Sequence, residues 1–384
     1  MAVYLHIPFC QAKCTYCDFN TYVNLDHLFQ PYVTALIQEA RWLAPNYKRP
    51  VRSLFLGGGT PTALPIDLLR QVLTACFEVF VVEDGAEITC EANPGIISLD
   101  YLQALRNLGV NRLSLGAQSF AESELAMLGR IHNVEEVELT VRRARAAGFG
   151  NLSLDLIYGL PEQTLSSWTH SLERALTLGL EHISLYCLTL EEGTPLREWV
   201  EADRFSTPDP DLAADMVELG NEYLVEAGYL QYEISNWSLP GYECAHNLVY
   251  WRNRPYLGLG AGAHSSATGC RWWNVRAVQT YIQRVQEPSP NPWPSPAAQD
   301  GESIDRWLEM GETMMLGLRL VREGVTEADF RKRFGVSLEA IYGDVIQELT
   351  GAGLLLWDQD RLRLSRRGWL LGNQVFFRFL PPAE

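Results

Sequence analysis

The 384-residue sequence is short of the features that would place it quickly in a membrane, secreted or nucleic-acid-binding class. It holds no run of 18 apolar residues, so no helix is expected to cross a bilayer. Its start, MAVYLHIPFC, has no basic segment followed by a long apolar one. That excludes a secretory signal and makes the cytoplasm the expected compartment. Eight cysteines are too few for a disulfide scaffold, and thiols stay reduced in that compartment. Positive charge is scarce: 31 Lys and Arg against 47 Asp and Glu leave a net charge of −16. An acidic chain repels phosphate backbones and anionic lipid, so neither nucleic acid nor a membrane surface is an expected partner. No basic domain hides in the total, since residues 300–384 carry 11 basic and 14 acidic side chains. Aromatic and apolar residues are plentiful (11 Trp, 16 Tyr, 14 Phe, 47% hydrophobic), which excludes whole-chain disorder.

Short β-branched runs alternate with longer amphipathic ones. Val3–Ile7, Ser53–Leu56, Glu87–Cys90, Arg112–Leu115, Asn151–Ile157 and His182–Leu188 read as strands. Leu25–Leu43, Asp67–Phe80, Leu99–Leu108, Val134–Ala147 and Thr164–Leu178 read as helices, three of them followed by Gly109, Gly148 and Gly179. The alternation predicts an α/β fold: a partial or complete parallel (β/α) barrel, with a doubly wound open sheet as the alternative. Polar residues fall at or just past the strand ends (His6, Gly57–Gly59, Glu91, Gln118, Asp155, Thr189), at the rim where such barrels build their sites. Tyr229–Trp237 reads as a further strand and Tyr256–Ala263 as a glycine-rich turn and strand. The barrel is expected to occupy residues 1–290, a Pro-rich linker 287–300, and a C-terminal unit 300–384. That unit reads as three helices and a hairpin turning at Asp358–Asp360, a winged-helix-like plan. Its acidic balance favours a protein partner over DNA.

What is concentrated is thiol. Cys10, Cys14 and Cys17 form C-x3-C-x2-C in the loop after the first strand. Thiolates suit an iron–sulfur cluster, zinc or copper(I). Structural zinc wants four closed ligands, whereas three thiolates on a [4Fe–4S] cluster leave one iron open for a substrate. Phe55–Thr62 (FLGGGTPT) follows one βα unit later, where glycines let backbone N–H groups approach a ligand.

Cys10, Cys14 and Cys17, with Tyr16 before the last and the GGG segment one unit on, resemble the radical S-adenosylmethionine (SAM) superfamily. The resemblance narrows with Tyr4-x-His6-Ile7-Pro8-Phe9-Cys10, Glu91-Ala92-Asn93-Pro94, Gly116-x-Gln118-Ser119-Phe120 and Asp155-Leu156-Ile157-Tyr158-Gly159-Leu160-Pro161. These resemble the oxygen-independent coproporphyrinogen III oxidase family over most of the chain. By matching position, the resemblance implies a [4Fe–4S] cluster on Cys10, Cys14 and Cys17. It implies SAM contacts from Tyr4, Tyr16, Gly58, Gly59, Thr60, Glu91, Gln118, Arg130, Asp155, Thr189 and His264.

Three features resemble the heme chaperone branch of that family and not the oxidase branch. The first strand begins at Val3, without the oxidase's long leading extension. Phe19 stands where the oxidase has a Cys. His246-Asn247-Leu248-Val249-Tyr250-Trp251 fits H-N-x-x-Y-W. This branch implies binding of heme and its transfer to acceptor proteins such as respiratory enzymes, without coproporphyrinogen oxidase activity. His246 becomes the candidate heme ligand, since histidine is a common axial ligand and Tyr and Trp offer flat faces to a porphyrin. Cys244 is a second soft candidate beside it. No C-x-x-C-H occurs, so covalent heme attachment is not indicated. Cys76 and Cys187 are expected to be buried packing residues, and Cys90 to face away from Glu91. A homodimer is left open.

Overall fold

The computed structural model describes residues 1–381. Six parallel strands run in chain order: β1 (Ala2–Ile7), β2 (Val51–Gly58), β3 (Val82–Ala92), β4 (Arg112–Gln118), β5 (Leu152–Tyr158) and β6 (His182–Cys187). The helices between them are α1 (Phe29–Leu43), α2 (Ile66–Val79), α3 (Leu99–Asn107), α4 (Glu122–Met127), α5 (Val134–Ala146) and α6 (Leu165–Thr177). The order never reverses, as it must in a doubly wound sheet. The architecture is therefore a barrel, and a partial one, because β6 passes to an antiparallel hairpin instead of meeting β1. That hairpin is β7 (Leu230–Glu233) and β8 (Asn236–Ser238), where the sequence reads as one strand. The turn at Ile234–Ser235 breaks it, with the buried Glu233 carboxylate accepting from the Ser235 N–H at 2.9 Å.

Local signals explain most of the βα units. α5 opens with a capping box in which Asn133 and Glu136 satisfy each other's backbone N–H groups. Gly109, Gly148 and Gly179 take φ of 96°, 91° and 60° after their helices, the left-handed cap that a side chain would strain. Leu54, Leu56, Leu113, Leu115, Leu154 and Leu156 point outward from the barrel, are fully buried and pack against the surrounding helix layer. Two further helices, α7 (Pro195–Glu201) and α8 (Pro210–Glu226), lie between β6 and the hairpin.

The chain then returns to the other side of β1. α9 (Ala245–Trp251) enters the barrel, and β9 (Tyr256–Leu259) pairs parallel to β1. β10 (His264–Ala267), β11 (Cys270–Asn274) and β12 (Ala298–Ser303) extend the sheet antiparallel, with α10 (Val278–Gln286) packed on α1. The Pro-rich stretch is tied to this edge. Ser295 donates to the buried Glu39 carboxylate at 2.6 Å, and Tyr281, Asn274 and the Gly260 N–H donate to the same group. Glu39 thereby fixes the 260–263 turn leading into β10.

The C-terminal elements are α11 (Arg306–Gly317), β13 (Val325–Thr326), α12 (Glu327–Phe334), α13 (Leu338–Gly351), β14 (Leu355–Asp358) and β15 (Arg361–Leu364), followed by the short helices α14 (Arg366–Leu370) and α15 (Gly372–Phe376). Their small antiparallel sheet, β13-β15-β14, and a separate core of Met314, Phe330, Leu338, Leu362 and Phe379 match the winged-helix-like plan. Arg271–Glu312 at 2.6 Å and Arg252–Glu323 at 2.6 Å join this unit to the barrel side. No helix among the described residues is long and apolar enough to cross a membrane.

Candidate functional site

The cysteine loop leaves β1 and is drawn back onto it. The Cys10 N–H donates to Tyr22 O at 2.9 Å, and the Tyr22 N–H donates to Pro8 O at 2.7 Å. The end of α4 holds its middle, with Thr15 bonding Leu128 O through its N–H and Met127 O through its hydroxyl. All three thiols are free and half-buried, beside a cavity at the C-terminal ends of β1–β5. Cys10 Sγ lies 3.5 Å from the Thr60 hydroxyl, and Arg130 Nη1 donates to Cys14 Sγ at 3.2 Å. Burial pushes the Cys10 and Cys17 thiols up, partly offset by hydrogen bonds. Among the described residues, no three His, Cys, Asp or Glu side chains are grouped closely enough for one metal ion. A cluster binds each thiolate to a different iron and so accepts wider spacing, which fits this triplet better than a single zinc.

The far wall is built from strand ends. β2 finishes at Gly58, whose φ of 109° is open to glycine and strained for other residues. A Cβ on Gly57 would stand 2.8 Å from Glu91 Oε2, and one on Gly59 would stand 2.7 Å from Phe9 O. The glycines thus let β2 close on β1 and β3 while the Gly58 N–H donates to Glu91 Oε2 at 3.1 Å. Gln118 caps β4 with φ 71°, a left-handed conformation that costs a non-glycine residue about 1–3 kcal/mol and is typically kept at functional sites. Two carboxylates face the same space. Burial first, and then the Asp155 charge, push Glu91 up to about 8. Burial pushes Asp155 up to about 6, against hydrogen bonds from Ser184 and Ser114 and the Arg112 and Arg130 charges. Such a pair favours a ligand that brings positive charge.

Tyr16, Gly58, Gly59, Thr60, Glu91, Gln118, Arg130 and Asp155 all line the cysteine cavity. Tyr4 and His264 do not. They line a second cavity of about 650 Å³ that shares Phe19, Gly58 and Glu91 with the first. Thr189 is exposed in the loop past β6 and lines neither. Sequence reasoning did not single out Asn93, which donates to the Thr60 hydroxyl at 2.8 Å and accepts from Arg130 Nη2 at 2.7 Å. Its signal was its place two residues beyond Glu91, just past the end of β3 at the cavity rim.

The H-N-x-x-Y-W segment is α9, a plug inside the barrel. The Glu87 carboxylate from β3 accepts the Ala245 and His246 N–H groups at 3.1 Å. His246 is 1% exposed; its Nδ1 meets the Ser53 hydroxyl and its Nε2 the Tyr250 hydroxyl, each at 3.0 Å. Burial holds its imidazole down to about 3, so it is neutral. In this arrangement both ring nitrogens of His246, the candidate heme ligand, are engaged and its ring is buried. Cys244 is also buried, with its thiol donating to Glu87 at 3.4 Å. Tyr250 lines the second cavity, and Trp251 lies under the Arg319 guanidinium at 4.3 Å. Cys76 is a core residue as expected, and Cys90 is buried; Cys187, expected to be buried, is exposed at the edge of a cavity lined by α8 residues Ala213 and Val217.

Comparison with known proteins identifies the class first. The profile of the Radical SAM superfamily matches residues 4–175, from β1 into α6, and that of the HemN C-terminal domain matches residues 304–371. The chain is a radical SAM protein with a HemN-type C-terminal unit. Heme chaperone HemW of Bacillus subtilis (strain 168) is 38% identical over 381 residues, covering 99% of both chains. Heme chaperone HemW of Synechocystis is 40% identical over 333 residues, 85% of this chain and 79% of the relative. Coproporphyrinogen III oxidase (HemN) from Escherichia coli superposes with a TM-score of 0.86 at 25% identity, covering 100% of this chain and 90% of that one. The chain belongs to the HemW heme chaperone family.

Proposed function

We propose that this protein is a heme chaperone that carries a [4Fe–4S] cluster on Cys10, Cys14 and Cys17, binds SAM beside it, and passes heme to acceptor proteins in the cytoplasm. The observation that carries this is the adjacency of two cavities: the three-thiol pocket, and the roomier aromatic one sharing Phe19 with it. When bound, a cluster with an open iron supplies one electron to the ligand on that iron. The remaining work belongs to the chain. Glu91 and Asp155 neutralise the ammonium and sulfonium charges of SAM. Arg130 lines the pocket, holds the cysteine loop through Cys14 and retains an unpartnered buried Nε. Gly58 and Gly59 let the ligand lie against bare backbone. Tyr16, Thr60 and Gln118 complete the wall of this SAM pocket.

The second cavity lies within the ~300–1,000 Å³ of ordinary ligand clefts. Tyr4, Tyr250, Tyr256 and Trp273 give it flat apolar faces, and Arg276 is the one cation among its lining residues, suited to a porphyrin propionate. Phe19, at 64% exposure, stands between the two spaces. The test is anaerobic. The cluster-reconstituted protein is incubated with SAM, reductant and coproporphyrinogen III in one vessel and with hemin in another. Hemin binding, with a shifted Soret band and no protoporphyrinogen formed, is the expected result. Protoporphyrinogen formation would replace the chaperone reading with an oxidase.

A further inference from the structure

The chain has seven histidines, and the structure leaves one of them suited to heme iron. His6 is buried, with its ring nitrogens on the Tyr4 hydroxyl at 3.1 Å and Asn20 O at 3.0 Å. His182 is buried between Ser153 and Tyr232, and His246 between Ser53 and Tyr250. His132 is buried away from both cavities, against Ala117 O. His27 and His170 lie on the outer surface. His264 differs from all of these. It starts β10, lines the 650 Å³ cavity, is exposed, and has no hydrogen-bond partner on its ring among the described residues.

Its orientation is built. β10 and β11 pair so that His264 stands directly opposite Trp273, and the rings stack with centroids 5.7 Å apart and planes 26° from parallel. The 260–263 turn that precedes it is pinned by Glu39, and Asn20 of the cysteine loop donates to Ala261 O and Arg276 O at 3.0 Å each. Partial burial against the cavity wall and the neighbouring Arg271 and Arg276 charges hold the imidazole below its ordinary pKa, which keeps a nitrogen lone pair free near neutrality. Arg276, three residues past Trp273, forms no salt bridge among the described residues and borders the same cavity. An unpaired guanidinium is the group a propionate would seek.

We propose that His264 is the axial ligand to ferric heme seated in this cavity, with Arg276 pairing a propionate. The assignment rests on the heme-chaperone reading above and names the ligand within it. The step is a ligand exchange: the imidazole lone pair replaces water on ferric iron, with no change of oxidation state.

The experiment uses the full-length, cluster-reconstituted protein titrated anaerobically with hemin and followed by Soret absorbance and low-temperature EPR. Wild type should show a histidine-ligated spectrum. His264→Ala should lose that spectrum and bind hemin at least tenfold more weakly, and free imidazole should restore the spectrum without restoring the affinity. His264→Gln, which keeps a polar side chain against Trp273, should behave like His264→Ala, separating ligation from local packing. Arg276→Gln should weaken hemin several-fold yet leave hemin dimethyl ester unaffected. Wild-type spectra and affinity in both His264 variants would overturn this assignment while leaving heme binding intact. Failure of wild type itself to bind hemin would overturn the chaperone reading.

Discussion

Glu91 gives the sharpest quantitative handle on the cysteine cavity. Its carboxyl is raised from an ordinary 4.5 to about 8, chiefly by burial and secondarily by Asp155. The folded protein therefore holds a proton that the unfolded chain has released. Stability from this group is full below about pH 4.5 and is lost as pH rises toward about 8. At pH 7 the penalty, at about 1.4 kcal/mol per tenfold change in protonation, is roughly 3 kcal/mol. Because the carboxylate opens on a cavity that water can enter, the realised figure is discounted to about 1–2 kcal/mol. Glu91→Gln mimics the protonated form and can still accept from the Gly58 N–H. The ligand-free variant should therefore melt a few degrees higher than wild type at pH 8, and the two should converge near pH 5. SAM binding should invert this. A cationic ligand draws the proton off, so wild type should release close to one proton per SAM at pH 7, measured by calorimetry in buffers of different ionisation enthalpy. The variant should release almost none and bind SAM at least tenfold more weakly. A stability difference independent of pH, or equal proton release from both proteins, would refute the electrostatic account.

Three further perturbations test separate parts of the structure. Cys14→Ala removes one thiolate and the Arg130 contact, and should abolish the visible absorbance of the reconstituted cluster; a preparation retaining four irons per chain would contradict the ligand set. Gly58→Ala forces a methyl into the His6 ring at a φ of 109°, and should cost about 1–3 kcal/mol of thermal stability and weaken SAM binding. Equal stability in denaturant titrations would show that the strand end relaxes freely. His246→Ala leaves the Ser53 and Tyr250 hydroxyls without their buried partner, and should destabilise the barrel by about 2–4 kcal/mol. The same variant, where it folds at low temperature, should keep the histidine-ligated hemin spectrum; its loss would return the ligand to α9.

Much of this arrangement was legible before any coordinates. β1–β6 announced themselves because each strand is buried by helices, giving apolar runs closed by a polar residue at the rim. The cysteine loop and the GGG segment were legible because their chemistry tolerates few other residues. What was hidden depends on long-range topology. β9 docks beside β1 from more than 250 residues away, so nothing local shows that His264 belongs to the second cavity and not to the cysteine pocket. β10 and β12 are short and rich in Ser, Ala and acidic residues, a pattern that local propensity reads as loop. The surroundings of His246 were hidden for a related reason. An imidazole between an aromatic pair and a buried hydroxyl has the same sequence signature as one facing a porphyrin, and only the position of α9 inside the barrel separates them.

That helix also explains the spacing of its own motif. Successive residues on a helix turn by about 100°. His246 and Tyr250, four apart, therefore lie within about 40° of each other on one face, and the imidazole reaches the tyrosine hydroxyl. Trp251, one step further, is rotated out of that plane and meets Arg319 across the seam to the C-terminal unit. Adding or removing one residue between them would swing the tryptophan or the tyrosine off its target. H-N-x-x-Y-W thus works as an angular code: it sets how far the floor of the larger cavity is turned relative to the neighbouring unit.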